Sequence, residues 1–190
     1  SDIIERFSRA NQGGLSMFSL GSGRKVNRFL LDLLSFRNRG DSLVVADDAE
    51  LPKAMERWAS EVRRPVLIDL TYRFTGVDGD EIYPATLTHL YLDRPLVLYG
   101  RVQRAPESAA FQIIGRSGDA VRDLVFPLDL PAAHPGTDAI RRAWAWQRVY
   151  HWIGDYTQSQ DPALLERLRS FADRYGLVVP YGYGTFVPRE

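Results

Sequence analysis

The chain has no cysteine. That absence removes disulfides, thiolate zinc centres and a cysteine nucleophile, and leaves both reducing and oxidising compartments open. Net charge is missing too: 24 basic side chains stand against 24 acidic ones. No bulk field therefore draws the protein to nucleic acid or to an anionic membrane. No apolar run approaches the roughly 20 residues that cross a bilayer, and no signal-peptide pattern opens the sequence. G-x-G-x-x-G, P-loop, H-E-x-x-H and G-x-S-x-G spacings are all absent. What is present is 190 residues, 45% of them hydrophobic, enough for one large or two small domains with a real core.

Leu15 to Leu20 is a short apolar run that stops at Gly21-Ser22-Gly23 and gives way to a three-to-four-residue rhythm at Val26, Phe29, Leu30, Leu33 and Leu34. This predicts strand, glycine turn, helix. A second run at 43–46 precedes a helix through Leu51, Met55, Trp58, Ala59 and Val62, with Asp47 and Glu50 at capping-box spacing. The unit therefore reads βαβα, with strands 15–20 and 42–46 parallel. Ahead of it, Ile3, Ile4, Phe7 and Ala10 share one side of a helix that stops near residues 11–14. Two parallel strands alone leave an edge unpaired, so residues 1–65 are expected to be the C-terminal half of a doubly wound α/β domain whose earlier strands lie upstream.

From Val66 the period is two: Val66, Ile68, Leu70, Tyr72 and Phe74 alternate with polar or small residues and Leu67. Further strands at 82–83, 96–102, 110–114 and 123–130, separated by turn signals that include 115–119, predict an antiparallel β-sandwich over 66–131. After a linker-like Pro131 to Gly136, a helix runs from Asp138 to about Gln158. A second is started by Asp161-Pro162 and ended at Tyr175-Gly176, with Leu177 as its hydrophobic contact. Residues 132–190 are thus expected to be a helical pair and C-terminal segment packing on the sandwich.

The run MFSLGSGRKVNRFLLDLLSFRNRG, followed by AMERWASEVRRPVLIDLTYRF, resembles the last βαβα of a von Willebrand factor type A domain, as found in the inter-alpha-trypsin inhibitor heavy chain family and its bacterial relatives. YPATLTHLYLDRPLVLYGRV, IRRAWAWQRVYHWI and DPALLERLRSFADRYGLVVPYGYGTF follow the order of that family's next region. The resemblance implies a secreted, periplasmic or cell-surface protein that binds a protein or matrix ligand. In that family the ligand is held through Mg or Ca on an Asp-x-Ser-x-Ser loop with later Thr and Asp residues. No such loop occurs here, so no metal ligand and no cofactor is assigned to any residue of this chain. The family's Asp-Pro-His-Phe motif is absent as well, which removes support for covalent attachment to a polysaccharide.

Among candidate sites, Gly21, Ser22 and Gly23 sit at a strand's carboxyl end before a helix, where backbone amides can meet a ligand. They read as a tight turn, or as a rim beside a metal site on the preceding strands. Trp144, Trp146 and Trp152, with Tyr150 and Tyr156, surround one helix and read as a core helix between layers or as an aromatic face for sugar or protein. His89, His134 and His151 lack ligand spacing, and His151 with Asp155 offers two ligands where a structural site needs about four. The expected function is a non-catalytic binding or adhesion scaffold without nucleic acid, able to form a homo-oligomer through its open sheet edge. The alternatives are an enzyme using Asp69, Asp78, Asp80 and His89, or a purely structural assembly domain.

Overall fold

The computed structural model describes all residues except 1, 13, 24, 79–80, 103–105, 180, 183–184 and 187–190. The protein is mixed α/β, with five α-helices among the described residues, and divides into two compact units. One is residues 1–55 together with 145–190; the other is residues 56–144.

In the first unit the order is α1 (Asp2–Asn11), β1 (Phe18–Ser22), α2 (Arg28–Arg37), β2 (Asp41–Val45) and the start of α3 (Leu51–Val62), which a 3-10 turn at Asp48–Glu50 precedes. Strands β1 and β2 pair in parallel, from Phe18 opposite Asp41 to Ser22 opposite Val45. A parallel pair needs a crossover, and α2 supplies it. Strand β1 lies later than expected, because Gly21 and Ser22 belong to it. A Cβ at Gly21 would stand 2.7 Å from Val26 Cγ1, so this glycine permits close packing inside a strand, and the turn falls to Gly23 at φ +90°. Side-chain hydrogen bonds brace the unit. Ser35 Oγ donates to Ser19 Oγ at 2.7 Å, both residues being buried. Asn38 Nδ2 donates to Ser8 Oγ and Leu34 O, while Asn11 Nδ2 donates to Asn38 Oδ1.

The unit is completed from the far end of the chain. Helix α4 (Asp138–Ser159) enters it at Ala145, and α5 (Pro162–Arg174) follows. Ile4, Phe29, Leu33 and Leu34 form one buried cluster with Val149, Ile153, Leu168 and Ala172. The helical pair, expected to pack on the sandwich, thus shares a buried cluster with residues 1–55. Periodicity identifies a buried helix face but not its partner. The α5 ends follow local chemistry. Asp161 accepts the Ala163 amide, and Leu177 N–H reaches Ala172 O at 2.9 Å past Gly176 at φ +62°, the double turn of a glycine-ended helix.

The second unit holds β3 (Pro65–Thr75), β4 (Ile82–Tyr83), β5 (Leu90–Tyr91), β6 (Tyr99–Gly100), β7 (Ala109–Ser117) and β8 (Ala120–Leu128). An antiparallel sheet has the order β5-β3-β7-β8, and β4 pairs with β6 in a separate antiparallel ribbon. The β7–β8 hairpin turns at Gly118-Asp119, so the turn expected over 115–119 is shorter and Gly115 remains in β7. The alternation expected along β3 is broken by a bulge between Ile68 and Thr71, with Asp69 at φ +54°. An inserted residue flips the faces. Leu67 and Leu70 are both buried, while Val66 is exposed, although a single phase would put Val66 and Leu70 on the same side.

Candidate functional site: an acidic, aromatic pocket

Three segments of the first unit meet around a cavity of about 270 Å³. Asp32 and Phe36 come from α2, one turn apart and so on the same face. Gly40 precedes β2, Asp41 and Ser42 begin it, and Trp146, Gln147 and Tyr150 come from α4. Gly40 is required where it stands, since a Cβ there would lie 1.7 Å from the backbone oxygen of Met17. The chain can then enter β2 with Asp41 and Ser42 beside α2.

Asp32 organises the wall. Its Oδ1 accepts from Ser42 Oγ, and its Oδ2 accepts from the Tyr150 hydroxyl at 3.2 Å. Burial first, then the nearby Asp32 charge and hydrogen bond, push the Tyr150 hydroxyl well above the usual tyrosine value, so it remains a donor. Asp41 Oδ1 accepts the Ser42 amide at 2.8 Å. Trp146 meets Tyr150 edge-on at 5.3 Å, Phe36 meets the same ring at 5.7 Å, and Trp146 is 37% exposed. Gln147 Oε1 is buried and has no hydrogen-bond partner among the described residues. Among the described residues, those lining the cavity include two carboxylates and no lysine or arginine.

The other sequence candidates are placed as follows. Trp144 is 3% exposed and donates from Nε1 to Glu81 O at 2.8 Å in the second unit, so it is a packing residue rather than an open aromatic surface. Trp152 carries the guanidinium of Arg148 4.7 Å and that of Arg167 5.1 Å from its ring centre. Of the three tryptophans, Trp146 alone lines the cavity. The Ser22 hydroxyl donates to Asp48 Oδ1, and the Gly23 amide donates to Val45 O at 3.1 Å, so both groups already have partners within the fold.

His151 Nε2 lies 3.5 Å from Asp155 Oδ2 on α4. His89 Nδ1 accepts the Asp69 amide at 3.3 Å, whereas the Asp69 carboxylate is held by Arg116. The structure brings Asp69 and His89 together through the Asp69 backbone amide. Asp78 is exposed, and Asp80 lies outside the described residues. Among the described residues no group of three or more histidines and carboxylates could hold a metal ion. Sequence reasoning passed over Asp32; its signal was a lone acid between Leu30-Leu31 and Leu33-Leu34.

No protein-family model matches the chain. Over 112 residues it is 23% identical to human inter-alpha-trypsin inhibitor heavy chain H1, an alignment that covers 57% of this chain. The same alignment covers 12% of that relative, so the chain matches only a small part of the relative's length. The likeness supports a distant relationship to the inter-alpha-trypsin inhibitor heavy chains.

Proposed function

We propose that this chain is the trailing part of a von Willebrand factor type A-like domain, followed by a β-sandwich region and helices, and that it serves as a non-catalytic binding scaffold of a secreted or surface-exposed protein. The observation that carries the reading is the parallel β1–β2 pair joined through α2, the arrangement expected of the last strands of such a sheet. The distant likeness to a heavy chain adds support. Strand β1 pairs with β2 and with no other strand among the described residues. In this proposal, preceding strands of a longer protein cover its second edge and carry the Mg or Ca site. Ser22 and Asp48, the oxygen donors at the carboxyl ends of these strands, are too few to hold a hard cation that takes six or more oxygens.

The test is the longer reading frame, examined for an Asp-x-Ser-x-Ser loop and for capture of protein or matrix ligands with and without chelator. Capture lost on chelation is expected. Capture indifferent to chelator overturns the metal-dependent part of the reading.

A further inference from the structure

We propose that strand β8 is the contact of a two-fold dimer, in which a second copy of this chain adds its own β8 antiparallel and joins two four-stranded sheets into one. The backbone of β8 is laid out for an added strand. Ser117 and Ala120 close the two-residue β7–β8 turn, whose Gly118 is at φ +59°. In such a hairpin the closing pair is hydrogen-bonded, and bonded pairs alternate from it. The amides of Val121, Asp123 and Val125 therefore point away from β7, to a side where no strand pairs among the described residues. The side chains carry a core face out to that edge. Leu124 stands opposite Ile113 and Phe126 opposite Phe111, so both share the face of Ile113, which is buried. Phe74, Phe111 and Phe126 form a row of rings across three strands, with successive centres 5.0 and 6.1 Å apart. The row runs out at β8, where Leu124 and Phe126 are exposed.

A second copy fits because β8 complements itself. Two-fold antiparallel pairing sets one residue opposite its own copy. Centring on Arg122 or Asp123 sets like charges face to face, which is destabilising. Centring on Leu124 sets Arg122 against Phe126 and Asp123 against Val125. Centring on Val125 sets that residue against itself and Leu124 against Phe126 twice, apolar on apolar on both faces of the sheet. It also moves Asp123 and Arg122 outward, opposite Pro127 and Leu128, and Pro127 forfeits one ladder bond at each end. With 24 basic and 24 acidic side chains, two copies approach without net repulsion. The opposite edge, β5, is two residues long and offers little to a third copy. The contact lies wholly in the second unit and needs no metal, so it is independent of the metal-dependent capture proposed above.

The test is sedimentation of the full chain over a range of concentrations, together with cross-linking through single introduced cysteines. A monomer–dimer equilibrium is expected. Val125→Lys, which sets two lysines face to face, should weaken it about tenfold, whereas Val178→Lys, at an exposed apolar position of the first unit, should leave it unchanged. Because the chain has no cysteine, an introduced one can form a disulfide only with its own copy. Val125→Cys should yield linked dimer about tenfold faster than Val121→Cys, even though Val121 is the more exposed of the two. In the Val125-centred register the two copies of residue 121 lie about 27 Å apart, eight residues along the strand. Circular dichroism checks folding, and the cysteine pair keeps the test decisive should Val125→Lys fail to fold. A chain that stays monomeric at every concentration overturns the proposal, even where another polypeptide pairs with β8. A dimer that folded Val125→Lys leaves intact, or equal cross-linking at 121 and 125, places the contact elsewhere and overturns it too.

Discussion

At the scale of single residues, the first unit depends on polar groups whose partners lie far away in sequence. Asn38, 1% exposed, joins α1, α2 and the turn into β2 through three side-chain hydrogen bonds. Asn38→Ala removes the donor to the Ser8 hydroxyl and one of the two acceptors of the Asn11 amide, and is expected to cost about 1–3 kcal/mol, read by urea denaturation. Tyr150 gives a pH-dependent signature. Its folded-state value is raised by burial and by Asp32, whereas an unfolded tyrosine titrates near 10. The folded state therefore disfavours the phenolate. This contribution is intact below about pH 10 and is lost as pH climbs through the folded value. Tyr150→Phe should flatten the alkaline decline in unfolding free energy without abolishing it, because Tyr72 is raised in the same direction by its own burial. Equal alkaline slopes for the variant and the parent would contradict the Asp32–Tyr150 contact.

At the scale of elements, β8 is one of the two edge strands of the four-stranded sheet. Val121, Leu124, Val125 and Phe126 are all between 39% and 67% exposed. Long apolar edges invite pairing with other chains. Pro127 lacks the amide that an added strand would use, and Arg122 and Asp123 place charge mid-strand, which blunts the edge only in part. Val125→Lys is expected to lower light scattering at high protein concentration while leaving the melting temperature nearly unchanged. Elements were also what the sequence disclosed best. The period switch at Val26, the Asp161-Pro162 start of α5 and its Gly176-Leu177 stop are local rules that no distant contact overrides. The β3 faces depart from the expected phase before Asp69, where Leu67 and not Val66 is buried, because a bulge is set by pairing with β7, and β5 was not foreseen because two residues have no readable period. The pocket stayed hidden for a related reason: Asp32, Ser42 and Tyr150 lie on three separate segments, and no spacing rule links them.

At the scale of the molecule, the unit built from residues 1–55 and 145–190 holds one hydrophobic core contributed by both of these segments. Leu168 is fully buried there, and Leu168→Ala is expected to cost about 2–5 kcal/mol. The loss should appear far along the chain. Amide exchange at Leu20 and Leu43, on the paired strands, is expected to accelerate together with that of α5. If the strand amides keep their protection while only α5 exchanges faster, the shared core is not a cooperative whole.

The two-segment core also dictates the order in which the polypeptide can mature during synthesis. Ile4 and Leu33 leave the ribosome before Leu168 and Ala172, which share their core. Until then the nascent α/β segment has apolar surface with nothing to bury it, and such surface invites chaperones and misassembly. A premature stop anywhere before α5 therefore damages residues 1–55 as much as the segment it removes.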